Sequence, residues 1–461
     1  MDRDELAFAG VARQAELVRG GDVSSTELVE LHLERIGRLD PELNAYRTVM
    51  AERALADAGQ ADARRGAGGE RPLLGVPMAV KDTEDVGGEV TGWGTAAHGV
   101  PAQRDNDLVM RLRGAGAVVI GKTNLPELAI IGATEGPAFG VTRNPWDPDR
   151  TPGGSSGGSG AAVSAGLCAA ATASDGAGSI RIPASCCGLV GMKPQRDRVS
   201  LGALAGHWYD LSVAGFLTRT VEDTALLLDV AAERKPDNPF MEAMREEPGK
   251  LRIALSFKAA LQPAHVNKAV RASLEAVAER LTGLGHHVTE QDPHFGRAQD
   301  AFVARYLAGI AEDAEHADRF PRPERLQRRT RGFVRLGRLV PRPLLDKALR
   351  DEARHAARIN QLFGDHDVLL TPTAARPPVK AAQWEGLGAL RTLLEMAAVY
   401  PFTGIWNMTG QPALSIPAPP TGDGLPVGAQ LIGPPDGEGR LLALAAQLER
   451  ELGWPARRPP A

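Results

Sequence analysis

Apolar positions along this 461-residue chain recur with two different periods. In the stretch "SSTELVELHLERIGRLD", Ser24 and Glu27 form a capping-box pair, and the leucines behind them recur at helical spacing. In "LLGVPMAVKDTEDV", apolar side chains alternate over 76–80, which predicts a buried strand ending at Lys81. The pattern "DLVMRLRGAGAVVIGKTN" predicts a helix, a glycine turn and a second buried strand over 117–120.

The rest of the chain continues this alternation, which favours the α/β class. A Pro- and charge-rich connection covers 234–250, and a helical, Arg-rich insert or lid covers 291–361. Strands resume at 367 and belong to the same sheet, so we expect one large domain. Further strands are predicted at 250–257, 286–292, 366–373, 412–418 and 426–433, and helices at 51–66, 161–173, 220–233, 264–283 and 439–451.

Composition and charge exclude several classes of protein. The net charge is −4 and the pI is near 6.2, so no global charge favours nucleic acid or an anionic membrane. The three cysteines, two of them adjacent, do not make a disulfide framework, which favours a reduced, cytoplasmic compartment. The N-terminal residues show no signal-peptide pattern, and an apolar run of about 18 residues is lacking, so no transmembrane helix is expected.

Four local patterns suggest other functions, but the sequence around each pattern does not support that function. Residues 116–123 match the phosphate-binding pattern G-x-x-x-x-G-K-[ST], but the apolar Ala-Val-Val-Ile run predicts a strand where a phosphate loop is needed. "GGSSG" at 153–157 matches the α/β-hydrolase elbow, but three prolines precede it where a strand is required. Nine arginines over 319–342 are interpreted as a solvated helical face, and His286 and His287 as structural residues without zinc-ligand spacing.

The stretch "GGSSGGSG" at 153–160 has the composition of a flexible linker, yet it lies between two other segments with chemical potential. A serine nucleophile needs a base, and a lysine is a base only when neutral. Burial lowers a lysine pKa from about 10.4 by several units. The strand before Lys81 leads it into the interior, while Asp82 is expected to point to the opposite face.

An oxyanion hole is the second requirement for attack on an acyl group. "GAGS" at 176–179 is a tight turn of small residues whose backbone N–H groups can approach a carbonyl oxygen. Asp175 and Arg181 flank this turn. A charge pair between them would hold its shape, and contact of Arg181 with substrate is an equally open alternative.

Taken together, these stretches resemble the amidase signature family. The resemblance rests on "GVPMAVKD", "AGAVVIGKTNLPE", "NPWDP", "GGSSGGSGAAVSAG", "SDGAGSIRIPASCCGLVGMKP", "LTRTVEDTALLLD", "LLTPT" and "FTGIWNMTGQPALSIPA…LPVGAQLIG", in the family's order. It extends from about residue 5 to 452 and is weakest over 235–365. It implies a single α/β domain with a twisted mixed sheet flanked by helices. The divisions would be N-terminal helices (1–70), a signature core (71–233), the insert (291–361) and completing C-terminal elements (366–452).

The resemblance also implies the catalytic roles. Ser179 would be the nucleophile, Ser155 a bridging serine after a cis Gly154–Ser155 peptide, and Lys81 the base. Ser156 would position the loop. Family membership implies no metal and no cofactor. The oxyanion hole would be formed by the backbone N–H groups of Gly176, Ala177, Gly178 and Ser179.

The function that this implies is hydrolysis of a carboxylic amide through a serine acyl-enzyme. The alternative is the glutaminase component of a tRNA-dependent amidotransferase, against which Ile182 argues because glutamine is usual there. A catalytically silent binding protein is disfavoured by the intact triad, and esterase or acyl-transfer activity stays open. The expected partner is a small-molecule amide, without nucleic acid or stable membrane insertion, and a homodimer stays open.

Departures from the family pattern concern the shape of the pocket. Ala177 stands where glycine is common and Phe216 where proline is usual, and Gln195 and Asp197 replace serine and glycine. The variable region 291–400, with Trp384 and Trp406, is expected to shape the substrate pocket.

Overall fold

A computed structural model describes residues 2–66, 71–260, 265–316 and 320–460. Residues 264 and 319, where the predicted helix 264–283 and the arginine-rich stretch begin, lie outside these ranges. The strands are β1 Tyr46–Val49, β2 Pro77–Lys81, β3 Val118–Thr123, β4 Glu135–Gly136, β5 Gly140–Val141, β6 Ala170–Asp175, β7 Val190–Lys193, β8 Val213–Thr218, β9 Arg252–Leu255, β10 His287–Glu290, β11 Val368–Pro372, β12 Ala413–Pro417 and β13 Gly428–Ile432.

Helices separate most of these strands. They are α1 Arg3–Ala7, α2 Gly10–Gly20, α3 Ser25–Leu43, α4 Ala51–Ala63, α5 Asp107–Gly114, α6 Gly157–Ser164, α7 Arg181–Cys187, α8 His207–Asp210, α9 Val221–Ala231, α10 Phe240–Arg245, α11 Lys268–Gly283, α12 Ala298–Asp313, α13 Arg328–Arg338, α14 Arg342–Arg350, α15 Glu352–Asn360, α16 Leu362–Asp365, α17 Ala389–Val399, α18 Gly404–Thr409 and α19 Glu438–Leu452. Short 3₁₀ turns cover Glu127–Ala129, Gly202–Leu204, Pro323–Arg325 and Trp454–Ala456. The predicted capping box at Ser24 and Glu27 is confirmed at the start of α3.

Eleven of the described strands form one mixed sheet in the order β1-β3-β2-β6-β8-β7-β12-β13-β11-β9-β10. The pairs β3–β2–β6 and β11–β9–β10 are parallel, and the central pairs from β6 to β11 are antiparallel. The α/β class and the mixed sheet flanked by helices are confirmed. The predicted strands at 412–418, 426–433 and 366–373 follow β7 in that order in the same sheet, as expected for one domain.

The hydrophobic core lies on both faces of this sheet. Successive residues of β11 belong to different clusters, with Leu369 on one face and Val368 and Leu370 on the other. The same alternation divides β12, where Ala413 and Leu414 face opposite ways. Helices cover both faces, which explains why these strands are apolar runs and not alternating patterns.

The predicted helix over 161–173 is wrong in its second half. Helix α6 covers Gly157–Ser164, Gly166 turns the chain with φ of 65°, and Ala170 begins strand β6. Alanine favours helix by intrinsic propensity, but β6 is buried between β2 and β8, where small side chains let helices pack closely. Tertiary packing therefore overrides local preference in this segment.

The insert 291–361 is helical, as predicted, over most of its described residues. In α13, Phe333 and Val334 are buried, and the guanidinium of Arg329 contacts Glu135 at 3.1 Å. Most other arginines of this stretch, such as Arg335 and Arg338, are exposed or partly exposed. Across the described ranges, none of the helices is both long enough and apolar enough to cross a membrane.

Candidate active site

Lys81 is the last residue of strand β2 and is fully buried. Its backbone N–H donates to Thr172 Oγ1 on the neighbouring strand β6 at 2.8 Å. Its Nζ lies 2.8 Å from Ser155 Oγ and 2.9 Å from Ser174 Oγ. The strand thus places the amine between two serine hydroxyls that come from different parts of the chain.

Burial lowers the pKa of Lys81 to about 7, although the carboxylates of Glu84 and Asp175 oppose that shift. Roughly half of the amine is therefore neutral at pH 7. Asp82 points to the face opposite Lys81, as predicted, and its carboxylate forms ion pairs with Lys122 at 2.9 Å and Arg47 at 3.2 Å. The partners of the Lys81 amine are therefore two hydroxyls, while the carboxylate of Asp82 pairs with other cations.

The stretch "GGSSGGSG" is folded and wholly buried. A Cβ on Gly154 would lie 2.7 Å from the backbone of Ala133, and one on Gly158 would lie 2.5 Å from the backbone of Asn124. These close approaches require glycine. The Gly154–Ser155 peptide is cis, and helix α6 begins two residues later. The linker-like composition is therefore what close backbone packing in this loop requires.

Ser156 joins this loop to the segment that carries Ser179. Its backbone N–H donates to the carbonyl of Ser179 at 3.4 Å, and its Oγ donates to the carbonyl of Ser174 at 3.4 Å. Ser179 lies between β6 and α7 in the tight turn. Gly178 in that turn has φ of 128°, and a Cβ there would lie 2.5 Å from Thr403 Oγ1.

The carboxylate of Asp175 holds the turn from inside. It accepts the N–H of Gly178 at 2.6 Å and the N–H of Ile180 at 3.2 Å. This corrects one expectation: the Gly178 N–H is engaged by Asp175, which leaves Gly176, Ala177 and Ser179 as the oxyanion-hole candidates. Burial alone would raise the pKa of Asp175, but the Arg181 charge and hydrogen bonds lower it to about 2.

Arg181 is fully buried, which separates the two alternatives left open by the sequence. Its Nε lies 3.0 Å from Asp175 Oδ2, and its remaining N–H groups reach Thr403 O, Gln430 Oε1 at 2.7 Å and Asn407 Oδ1 at 2.7 Å. Protein groups therefore take up its donors, as in a structural ion pair.

Sequence reasoning missed several of these partners. Ser174 is the first residue of the motif "SDGAGSIRIPASCCGLVGMKP" and lies two residues after Thr172 on β6. Alternate residues of a strand share a face, so Ser174 lies on the same side as Thr172, next to Lys81. The strand alternation could therefore have identified Ser174 as a partner of Lys81. Asn407 donates to both the backbone and the carboxylate of Asp175, at 2.7 and 2.8 Å. No local pattern connects Asn407 to a residue 232 positions earlier.

An apolar cavity of about 260 Å³ opens beside Ser179. Its wall includes Ala177 from the turn, but Phe216, Gln195 and Asp197 do not border it. Other walls come from α12 and α17, so the variable region shapes the pocket, as expected. Representative lining side chains are Ile131, Ile182, Phe302, Val303, Leu393 and Met396.

The expectation for the two tryptophans needs correction. Neither Trp384 nor Trp406 is among the residues bordering the apolar cavity. Trp384 packs edge-on against Tyr400, with 6.1 Å between ring centroids, and Tyr400 borders the cavity. The Trp406 indole N–H donates to the carbonyl of Phe402 at 2.8 Å. Trp384 therefore supports the cavity wall through Tyr400, whereas Trp406 packs against Phe295, with 6.1 Å between ring centroids.

A second, much smaller cavity of about 20 Å³ lies on the other side of the nucleophile candidate. It is bordered by Ser155, Ser174 and Ser179, and by polar side chains that include Glu84 and His207. Beyond it, a third cavity of about 240 Å³ shares the walls formed by Trp93, Leu201 and Leu204. The catalytic candidates thus stand between a large apolar space and a small one that is bordered by several hydrogen-bonding side chains.

The other motifs have structural explanations. Within 116–123, residues 118–123 are strand β3, so no phosphate loop forms there. His286 is buried, accepting from the Leu251 N–H at 3.1 Å and contacting Gln447 at 2.8 Å. The three cysteines are free and buried. Over the described ranges, no group of three or more His, Cys, Asp or Glu side chains has an arrangement that would hold a metal ion.

Comparison with known proteins identifies the family of this chain. The family model "Amidase" matches residues 27–442. The chain belongs to the amidase signature family. Among its relatives is "Putative amidase AmiB2" of Mycobacterium tuberculosis, which is 47% identical over 100% of this chain and 99% of that protein.

Solved structures of amidase-family enzymes share this fold. The structure of 6-aminohexanoate cyclic dimer hydrolase complexed with substrate has a TM-score of 0.87 at 31% identity, covering 98% of this amidase-family chain and 99% of that one. The native peptide amidase from Stenotrophomonas maltophilia has a TM-score of 0.77 at 27% identity, covering 98% of each chain. The predicted family and fold are confirmed.

Proposed function

We propose that this protein hydrolyses a carboxylic amide through an acyl-enzyme on Ser179, with Ser155 as proton relay and Lys81 as base. The observation that carries the proposal is the buried Lys81 amine, 2.8 Å from Ser155 Oγ and with a pKa of about 7. A base with a pKa near the working pH is the most effective for proton transfer.

The partners of Lys81 suit the neutral amine. A neutral lysine has two N–H donors and one lone pair. In this state it donates to Ser174 Oγ and accepts the proton of Ser155 Oγ. Ser155 then takes the proton of Ser179 as the Ser179 oxygen attacks the amide carbonyl. Ser155 and Ser179 border the same small cavity, which supports this relay.

Attack on the carbonyl places a negative charge on its oxygen, and the turn would stabilise that charge. Backbone N–H groups of Gly176, Ala177 and Ser179 are the proposed donors. Asp175 and Arg181 keep the turn in place from behind, because their hydrogen bonds are made to each other and to protein groups. Ser155 returns its proton to the leaving nitrogen, and water releases the acyl group from Ser179.

The glutaminase alternative is not favoured. Glutamine is a polar, zwitterionic amide, whereas Ile182 and other apolar side chains border the cavity beside Ser179. None of the described residues that line this cavity is charged, so the ammonium and carboxylate groups of glutamine would enter it without an ionic partner.

A fluorophosphonate probe tests the assignment of the nucleophile. The adduct is expected on Ser179, mapped by mass spectrometry after digestion, and is expected to be lost in Ser179→Ala. Ser200→Ala serves as the matched control and keeps the label. An adduct on a different serine would overturn the assignment. A panel of aryl, aliphatic and peptide amides, tested in parallel, identifies which amide is hydrolysed.

A further inference from the structure

The two cavities beside Ser179 differ in the catalytic residue that borders them. Ser155 borders the cavity of about 20 Å³ and is not among the described residues that line the cavity of about 260 Å³. In the proposed mechanism, Ser155 delivers the proton to the leaving nitrogen. The nitrogen must therefore face the small cavity, and the acyl group must extend into the large one.

The small cavity has room for one small molecule only. A space of about 10–15 Å³ on this measure holds a single water. The cavity also presents hydrogen-bonding side chains, among them Ser174, Glu84 and His207. Burial raises the pKa of Glu84, and the side-chain amide of Asn106 donates to its carboxylate. Ammonia or water fits such a space, whereas an alkyl or aryl group does not.

One wall of the small cavity, formed by His207 and Trp208, is held by packing and hydrogen bonds. Asp313 Oδ2 lies 2.7 Å from His207 Nε2 and accepts the indole N–H of Trp208 at 2.8 Å. The His207 and Trp208 rings stack with 5.2 Å between centroids. On the far side, Leu201 and Leu204 belong to walls shared with the third cavity.

The large cavity accepts the opposite kind of group. Aliphatic and aromatic side chains such as Ile131, Phe302 and Leu393 form its wall. An apolar cavity of about 150 Å³ accommodates benzene. The larger space beside Ser179 therefore has room for an aromatic ring with a short alkyl chain.

We infer that the substrate is the primary carboxamide of an apolar acid, with the acyl group in the large cavity and the NH₂ group in the small one. The inference rests on the proposed function. The bond between the carbonyl carbon and nitrogen breaks, ammonia leaves with the proton from Ser155, and one water then adds to the acyl carbon to give the acid. Ammonia vacates the space that this water enters.

The test compares 4-phenylbutanamide with its N-propyl derivative and with acetamide, by kcat/KM. We expect N-propylation to lower kcat/KM about 100-fold, because the added methylenes have no space. We expect acetamide to be about 100-fold poorer than 4-phenylbutanamide, because it leaves the apolar cavity empty. Equal rates for the primary and N-propyl amides, or a better rate for acetamide, would overturn the inference.

A variant tests the position of the nitrogen with the same three substrates. Leu204→Ala removes part of the wall shared with the third cavity, and we expect it to reduce the penalty of N-propylation at least about tenfold. The preference over acetamide is expected to stay unchanged. Leu339→Ala, at a side chain 75% exposed on the surface, is the control and should alter neither ratio. An unchanged N-propyl penalty in Leu204→Ala contradicts the assigned position of the nitrogen.

Failure of the inference is distinguishable from failure of the proposed function. If Ser179 takes the fluorophosphonate label and N-substituted amides are cleaved as well as primary ones, the amidase function stands and the inference falls. If Ser179 is not labelled and no amide is cleaved, both fall.

Discussion

Two lysines near the ends of neighbouring parallel strands are fully buried but have different partners. Lys122 on β3 lies 2.9 Å from the carboxylate of Asp82. Lys81 on β2 contacts the hydroxyls of Ser155 and Ser174. Residues 80 and 81 of β2 are aligned with 122 and 123 of β3, so the two amines belong to adjacent positions of one sheet.

The difference shows that the partner of a buried lysine decides what its burial achieves. A carboxylate at contact distance compensates the desolvation of an ammonium group and fixes it as a structural charge. Hydroxyls compensate less, and the lysine becomes a base of low pKa. The same residue type at the same depth thus serves structure on β3 and proposed catalysis on β2.

Among the variants considered, replacement of Lys81 is expected to have the largest effect, and this effect is on activity. Lys81→Met should lower kcat about 10²–10⁴-fold, because the relay loses its base. It should also raise the melting temperature. The unfolded lysine keeps its proton to about pH 10.4, whereas the folded one loses it near pH 7, so folding carries a cost that falls as pH rises between these values. Calorimetry at pH 6 and pH 9 checks this, with the larger stabilisation expected at pH 6.

Activity retained in Lys81→Met at neutral pH would mean that another group is the base. A lower melting temperature at both pH values would contradict the account of the burial cost.

Replacing Lys122 should have the reverse outcome, a loss of stability. Lys122→Met leaves Asp82 with one cationic partner, Arg47 at 3.2 Å, and is expected to cost about 3–5 kcal/mol in the free energy of unfolding. Urea unfolding measures the loss. The double variant Lys122→Met/Asp82→Asn is the control and should recover part of it. If Lys122→Met were as stable as the wild type, the ion pair would not be the structural element described above.

A partly buried carboxyl, with no cation at contact distance among the residues that the structure describes, extends the comparison to the opposite charge. Burial raises the pKa of Glu449 to about 7 from 4.5, with Asp223 and Glu222 nearby and the Val221 N–H donating at 2.9 Å. Between these values the folded state binds more protons than the unfolded state, so stability falls as pH rises to about 7. Glu449→Gln should gain on the order of 2 kcal/mol at pH 8 and little at pH 4.5. Equal gains at both pH values would contradict this.

Removing the hydroxyl of Ser174, the second partner of the Lys81 amine, has the smallest expected effect. Ser174→Ala removes an acceptor that stabilises the ammonium form, so the pKa of Lys81 should fall further. The acidic limb of the kcat/KM profile should then move about one unit to lower pH, with a plateau about tenfold lower. The pH–rate profile measures both. A lower plateau with an unmoved limb would indicate a structural role for Ser174 alone.

Local sequence patterns were sufficient to predict the elements that carry the candidate site. Alternation up to Lys81, the glycine-rich loop around Ser155 and the small-residue turn at Ser179 are all visible in short windows. Their assembly on one sheet followed from the α/β alternation and the family resemblance. The α6–β6 boundary was not predictable locally, because the alanines there favour a helix until the sheet packs around them.

Long-range hydrogen bonds account for the rest. Asn407 donates to Asp175, which lies 232 residues earlier in the chain. The same carboxylate accepts the N–H of Gly178, and the spacing of these residues in the sequence does not predict either hydrogen bond. The size of the cavities depends on side chains from α12, α17 and the 202–204 turn meeting around Ser179. A single sequence shows which residue types are present, but it does not show how far apart they lie in the folded protein.

The hydrogen bonds of Arg181 have a consequence for synthesis of the protein. Its partner Gln430 follows it by 249 residues. At about 5–20 residues per second, the ribosome needs roughly 12–50 s to reach that partner after Arg181 has been made. The turn at 176–179 therefore lacks this part of its support until residue 430 has been made. A nascent or truncated chain that stops before residue 430 lacks that support, so the proposed hydrolysis requires strand β13 to be in place.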